Sequence, residues 1–377
     1  MRDFTMTMRV VALGVIALLP VSGAEPPPRA PAELPLRVEG ALGHITGAYE
    51  LPDGRVLLTD EKRPAVSVLD PKTGQASVVG SAGVGPGQYV RPGGIYGGGA
   101  REILVLDRAQ TSVHVFSTTG AYVRTYSIAV AGVTSSSDGV DLQRLDGRGH
   151  SYFTERSGRL ESRLTGGPPA PAQVIRFDPV KQQRTVVTDL RQPDTKTVPG
   201  GDGMVFSRAV VGSPADGFGV APDGRVAAVR AEPYRVEWVA VDGKVTTGPA
   251  IAVDTLPMTD ADKAEYKAKY GGAGGATAVG VGSTSGRGGL SGLEPTFAAT
   301  KAPFSPADVI VSPNAHVWVL RTRPAGATTA IYDVFDASGR RVDRLEFPAG
   351  SRVAGFGANT VYITDEARSM LKKYKVR

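Results

Sequence analysis

Six short segments share one pattern, a run of aliphatic, β-branched or aromatic residues that ends in a charge. They are RVLLTD ending at Asp60, EILVLD at Asp107, HSYFTE at Glu155, RVAAVR at Arg230, HVWVLR at Arg321 and TVYITD at Asp365. Each reads as a strand that leaves a core for solvent. A further strand-like run follows each one: AVSVLD, SVHVFS, QVIRFD, RVEWVA, AIYDVFD and MLKKYKV. Five of these run into turn chemistry, such as Asp70 to Gly74, Asp242-Gly243 and Asp336 to Gly339, where Gly and Asp accept the angles of a tight reversal. A unit that recurs so regularly cannot bury its own apolar faces and must stack on its neighbours. The expectation is an all-β chain, a six-bladed β-propeller of four-stranded antiparallel blades over residues 34–377. The sixth unit lacks a fourth strand, and LPLRVEGAL, residues 34–42, belongs to no earlier unit. Pairing it with residues 370–376 closes the ring and leaves no open sheet edge.

The strand ends are spaced by 47, 48, 75, 91 and 44 residues, against about 40–50 for one blade. The long intervals carry insertions at about 191–214 and 254–306, and a smaller one falls at 157–171. TDADKAEYKAKY, residues 259–270, predicts a helix capped by Thr259 and stopped at Gly271. Strand alternation places all three insertions on one mouth of the ring. The Gly-rich tract 271–289 has no Gly-Lys-Ser/Thr and no strand before it, so it reads as a mobile lid or loop and not as a phosphate cradle.

The N-terminus is a separate object. A basic start, an apolar run from Val10 to Leu19 and small residues at 22–24 read as a signal peptide over residues 1–24, followed by a Pro-rich linker at 25–33. The apolar run falls short of the roughly 20 residues of a membrane span. The expected protein is exported, periplasmic or extracellular, and monomeric, with no span after cleavage. The chain has no Cys, which excludes thiol catalysis and Cys-based zinc sites. Its formal charge of +6 is spread along the chain, and no basic run with interleaved aromatics appears, so nucleic acid is not expected as a partner.

Residues 85–123, GPGQYVRPGGIYGGGAREILVLDRAQTSVHVFSTTGAYV, resemble an NHL repeat: a Gly-x-Gly-Gln-aromatic lead-in, Pro-x-Gly-Ile, a strand ending in Asp, a Val-x-Val-Phe strand and a Gly turn. SPADGFGVAPDGRVAAV and SPADVIVSPNAHVWVL keep the skeleton in later units. The resemblance implies a propeller related to exported bacterial NHL-like proteins, a class that includes protein-docking modules, calcium-dependent lactonases and metal-dependent lyases. The lactonases use Glu, Asp and Asn around calcium, whereas Asn314 and Asn359 here fall in turns. The lyases use several channel histidines, and His44 is the one inner-strand candidate among the four in this chain.

Aligning SSDGVDL, PADGFGV and PADVIVS places Asp138, Asp216 and Asp308 at one position in units three, four and five, with Arg352 at that position in unit six. Three converging carboxylates would raise one another's pKa unless a cation neutralised them, and hard oxygen ligands suit calcium. The expected site is therefore an acidic channel mouth at Asp138, Asp216, Asp308 and Arg352, rimmed by Asp107, Glu155, Arg230 and Arg321. The first three are the candidate metal ligands, with calcium as the cofactor they would take. Two functions follow from this reading. One is a binding module that presents the mouth and inserted loops to a protein, peptide or glycan; the other is a calcium-dependent hydrolase or lyase.

Overall fold

The computed structural model describes residues 27–40, 42–130, 141–156, 169–199, 205–270 and 294–376. The segment read as a signal peptide, most of the 157–171 insertion and the Gly-rich tract lie outside the described residues. Four sheets of four strands stand alone, and an eight-stranded sheet joins two more sets of four. The join is a two-residue parallel contact, Ala48 opposite Gly355 and Tyr49 opposite Phe356. Counting its halves separately gives six four-stranded units, each an up-and-down antiparallel blade, and together they form a β-propeller. The second strands are the sequence runs above, for example Val56–Asp60, Glu102–Asp107 and Val317–Arg321.

The core sits between blades. One cluster joins Val229, Trp238 and Tyr234 of blade four to Val309, Val319 and Phe335 of blade five. The next joins Trp318 and Phe347 of blade five to Phe356 and Val361 of blade six. Others link six to one, one to two, two to three, and three to four. The second strand of each blade therefore buries both faces, and a buried aliphatic or aromatic side chain contributes about 1.5–3 kcal/mol. The two tryptophans sit at these junctions: the Trp238 indole N–H donates to the Asp336 carbonyl of the next blade at 3.0 Å, and Trp318 meets Phe356 edge-on at 5.3 Å.

The N-terminal segment closes the last blade as expected, with the pairing shifted toward its start. The strand that completes blade six is Glu33–Leu34, paired with Tyr374 and Lys373, while residues 36–40 do not extend it. The segment laces three blades together. Arg29 bridges to Leu345 on the outer strand of blade five, and its guanidinium bonds Asp343 at 3.0 Å. Further on, the Arg37 and Glu39 amides donate to the Pro71 and Gly74 carbonyls of a blade-one turn. Leu36, Val38 and Leu42 are apolar anchors that pack on the core between blades six and one, so this stretch serves packing and the pairing falls to its neighbours.

The insertions fold on the face where inner strands begin. Thr195–Pro199 pairs with Val205–Ala209, and Leu256–Pro257 with Thr300–Lys301, and the two are tied by a bridge from Val211 to Phe297. The helix runs Asp260–Tyr270. Its start is a capping box: Thr259 Oγ1 accepts from the Asp262 amide at 3.2 Å, and Asp262 accepts from the Thr259 amide at 2.9 Å. Asp262 also bonds buried Lys301 at 2.5 Å and the Ala325 amide at 2.8 Å, which pins the helix to blade five. Lys269 at the far end pairs with Glu366 of blade six. Among the described residues no helix is long and apolar enough to cross a membrane.

Candidate functional site

Five of the six inner strands slip register at their first residues: between Ile45 and Gly47, Pro92 and Ile95, Asp141 and Arg144, Phe304 and Val309, and Val353 and Gly355. Such bulges re-aim side chains at a barrel or ring mouth. Inside lies a cavity of about 220 Å³ lined by residues of all six inner strands. Its charged lining is Arg108, Arg144, Arg352 and Arg368 with one carboxyl among the described residues, Asp308. Among the described residues the channel lining is therefore cationic, whereas an acidic mouth was expected.

The reason is local and differs for each residue. Asp216 stands opposite the Arg230 level, because Gly217 pairs with Val229. Its carboxylate accepts from the Arg191 and Ala231 amides and from Arg230, each at 3.0 Å, so it faces the link between blades. In blade five the bulge places Asp308 one level deeper, beside the pair Val309–Val319. A one-residue offset turns a side chain to the other face. Asp308 accordingly points into the channel, where Arg352 approaches it at 4.0 Å. Asp138 lies outside the described residues. The carboxylates described at aligned positions thus have separate surroundings, and among the described residues no group of three His, Asp or Glu is arranged to hold a metal ion.

The rim acids are occupied by their own turns. Asp60 accepts from the Gly43, His44, Lys62 and Arg63 amides. Asp107, fully buried, accepts from Val90, Arg91, Ala109 and Gln110, and Asp365 from Ser369 and Met370. Glu155 pairs with Arg184. Arg230 bonds Glu237 at 2.7 Å as well as Asp216. Arg321 reaches Asp333 at 2.9 Å. Of the residues singled out beforehand, Asp308 and Arg352 line the channel, and the remaining described ones hold blades and turns.

Arg108 and Arg368 were missed because each follows a conspicuous acid. Arg108 comes directly after Asp107, and Arg368 lies three residues after Asp365. When the acid folds back onto the turn amides, the arginine becomes the group that reaches the mouth. Arg368 holds φ at 56°, a left-handed angle that costs a non-Gly residue of order 1 kcal/mol, and its amide and carbonyl tie the turn to Asp365 and Ile45. Neither Arg108 nor Arg368 has an ion-pair partner among the described residues.

The electrostatics reflect this crowding. Burial lowers the Arg368 pKa, and Arg352 and Arg108 lower it further. Burial also lowers Arg144, with Arg108 adding to the effect. Asp308 keeps 27 % of its side chain accessible, yet the surrounding ring excludes bulk water, and that desolvation raises its carboxyl against the pull of Arg352, Lys269 and Arg368. Tyr332 beneath it donates to the Ser351 carbonyl at 3.3 Å and accepts from the Val353 amide at 3.1 Å.

The four histidines separate. His44 lines the mouth. His150 bonds Asp146 at 2.8 Å in a turn, and the amide of His316 caps Ser312 at 3.1 Å. His114 is fully buried, with Nδ1 2.9 Å from Thr125 Oγ1 and Tyr89 edge-on at 4.7 Å. Burial lowers its pKa. The stabilisation of its neutral form is present above the ordinary histidine value of about 6.5 and is lost as pH falls through the lowered folded value. Melting temperature is therefore expected to drop between pH 7.5 and 5, and His114→Gln to lessen that drop; an unchanged slope in the variant would assign it to other groups.

Fold and cavity together define a class, a β-propeller with an arginine-lined central channel. No protein-family model matches the chain and no curated protein is similar to it. Solved structures similar to it include a putative exported protein of Bacteroides fragilis, at 11 % identity over 92 % of this chain and 95 % of that one, TM-score 0.48. A gluconolactonase of Xanthomonas campestris matches at 12 % identity over 94 % and 99 %, TM-score 0.43. Virginiamycin B lyase of Staphylococcus aureus, solved with quinupristin, matches at 11 % identity over 92 % and 99 %, TM-score 0.40. Likeness at this level is one of fold, and no activity is carried over from it.

Proposed function

We propose that this chain is an exported propeller that binds a small anionic molecule in its central channel. The observation behind this reading is that Arg108 and Arg368 face the cavity without an ion-pair partner among the described residues, beside Arg144 and Arg352 and one carboxyl. Guanidiniums gathered in a partly desolvated cavity repel one another, and a bound anion relieves that repulsion while accepting charge-assisted hydrogen bonds. The cavity of about 220 Å³ is below the roughly 300–1,000 Å³ of drug-sized sites, which favours a metabolite-sized ligand. A peptide or glycan partner would engage this site through an acidic group entering from the face that carries the inserted hairpins.

The test is a thermal-shift screen of the mature chain, followed by calorimetry at low and high salt. Inorganic anions, small carboxylates and sugar acids are compared with neutral sugars. The expected result is stabilisation by anions that weakens as salt screens the arginines; stabilisation by neutral sugars alone would overturn the reading. Calcium belongs in the same screen because Asp138, Asp216 and Asp308 were its expected ligands. Calcium bound by the wild type and lost in Asp308→Asn would make the channel a metal site.

A further inference from the structure

The channel cavity adjoins a second one of about 150 Å³ at the face where inner strands begin, and Thr46, Gly94, Arg108 and Arg368 line both. The two guanidiniums therefore stand at a waist between two chambers, and Gly94 brings no side chain to close it. The inner chamber adds Arg144 and Arg352. The outer one adds Arg91, His44 and Glu61. Glu61 pairs with the Arg91 Nε, which orients the guanidinium, and the Arg91 Nη groups have no partner among the described residues. Positive charge thus recurs at the inner end, the waist and the outer end of one passage.

We propose that the ligand is a linear dianion of the α,ω-dicarboxylate type that spans both chambers. One carboxylate sits among Arg144, Arg352 and Arg368, the other is held by Arg91 and Arg108, and the linker threads the waist past Thr46 and Gly94. This rests on the reading of the channel as an anion site. A single compact anion would reach the arginines of one chamber only, whereas charge is placed along the whole passage. Once the inner carboxylate is seated, the outer one binds from the same molecule at high effective concentration, so the gain depends on linker length.

The experiment is calorimetry of the mature chain with dicarboxylates from succinate to suberate, each against the monocarboxylate of equal carbon number. The expected result is one optimal length that binds at least about tenfold more tightly than its monocarboxylate. Arg91→Gln should remove that increment, bringing the dicarboxylate of optimal length down to the affinity of its monocarboxylate. The Arg91 side chain is 61 % exposed, so the variant should fold. Equal affinity of mono- and dicarboxylates at every length overturns the two-chamber assignment and leaves the anion site standing. An equal loss of both ligand types in Arg91→Gln also overturns it. No binding of either ligand type, to any of these proteins, overturns the anion reading as well.

Discussion

Arg368→Gln is expected to weaken binding of the channel anion by about 100-fold, in line with the 2–5 kcal/mol lost when one partner of a buried charge pair is truncated. It should also raise the melting temperature of the empty protein. The two effects share one cause. Arg352 and Arg108 both disfavour the charged form of Arg368, so removing its charge relieves repulsion in the free state and deletes an attraction in the bound one. Opposite signs on stability and binding are the mark of a group held for function at a structural cost. Arg108→Gln should behave alike, with less stabilisation because Arg108 is exposed. Calorimetry and melting curves on the same samples decide the matter. A variant that loses stability and keeps its affinity would mean that Arg368 is a structural clasp between blades six and one.

The second large effect is expected far from the channel axis. Asp333 is fully buried between blades four and five. It accepts from Arg321 at 2.9 Å, Arg344 at 3.2 Å and the Tyr234 hydroxyl at 3.0 Å, with Arg341 at 3.6 Å. Arg321 also lies 4.9 Å over the Tyr234 ring. One carboxylate thus anchors three cations, and its removal takes a buried ion-pair partner from each of them. Asp333→Ala should cost about 3–5 kcal/mol of unfolding free energy, measured by urea titration. Tyr234→Phe, which removes one hydrogen bond and keeps the ring, should cost about 1 kcal/mol. A loss below about 1 kcal/mol in Asp333→Ala would show that the arginines relax into solvent.

Much of the architecture was legible because strands alternate and turns are punctuated. The runs ending at Asp60, Asp107 and Asp365 announced second strands, and Thr259 announced the helix. What could not be read was direction at the level of one residue. Aligned letters put Asp216 and Asp308 in register, yet a bulge in blade five places them one level apart and on different faces. Equally hidden was the destination of each rim acid. A chain shows Asp107 next to Arg108 without showing that four turn amides claim the first and leave the second to the channel. The sign of the mouth's charge followed from those hydrogen bonds, which composition does not report. The pairing of the inserted segments into two joined hairpins depends on the tertiary contact of Val211 with Phe297, which no local pattern announces.

The lacing segment has a bearing on how the ring is made. Lys372 meets Glu33 across 339 residues at 3.0 Å, a contact order near the maximum such a chain allows. Blades one to five can condense from neighbours as they emerge, but blade six has no partner for its outer edge until residues 29–34 are brought back across the finished stack. Loop-closure entropy opposes that step, and topologies that depend on it fold slowly. During the delay the Leu371–Lys375 strand exposes unpaired backbone to any other chain. The Lys372, Lys373 and Lys375 side chains on that strand act as gatekeepers over this interval, since like charges keep two waiting edges from zipping together.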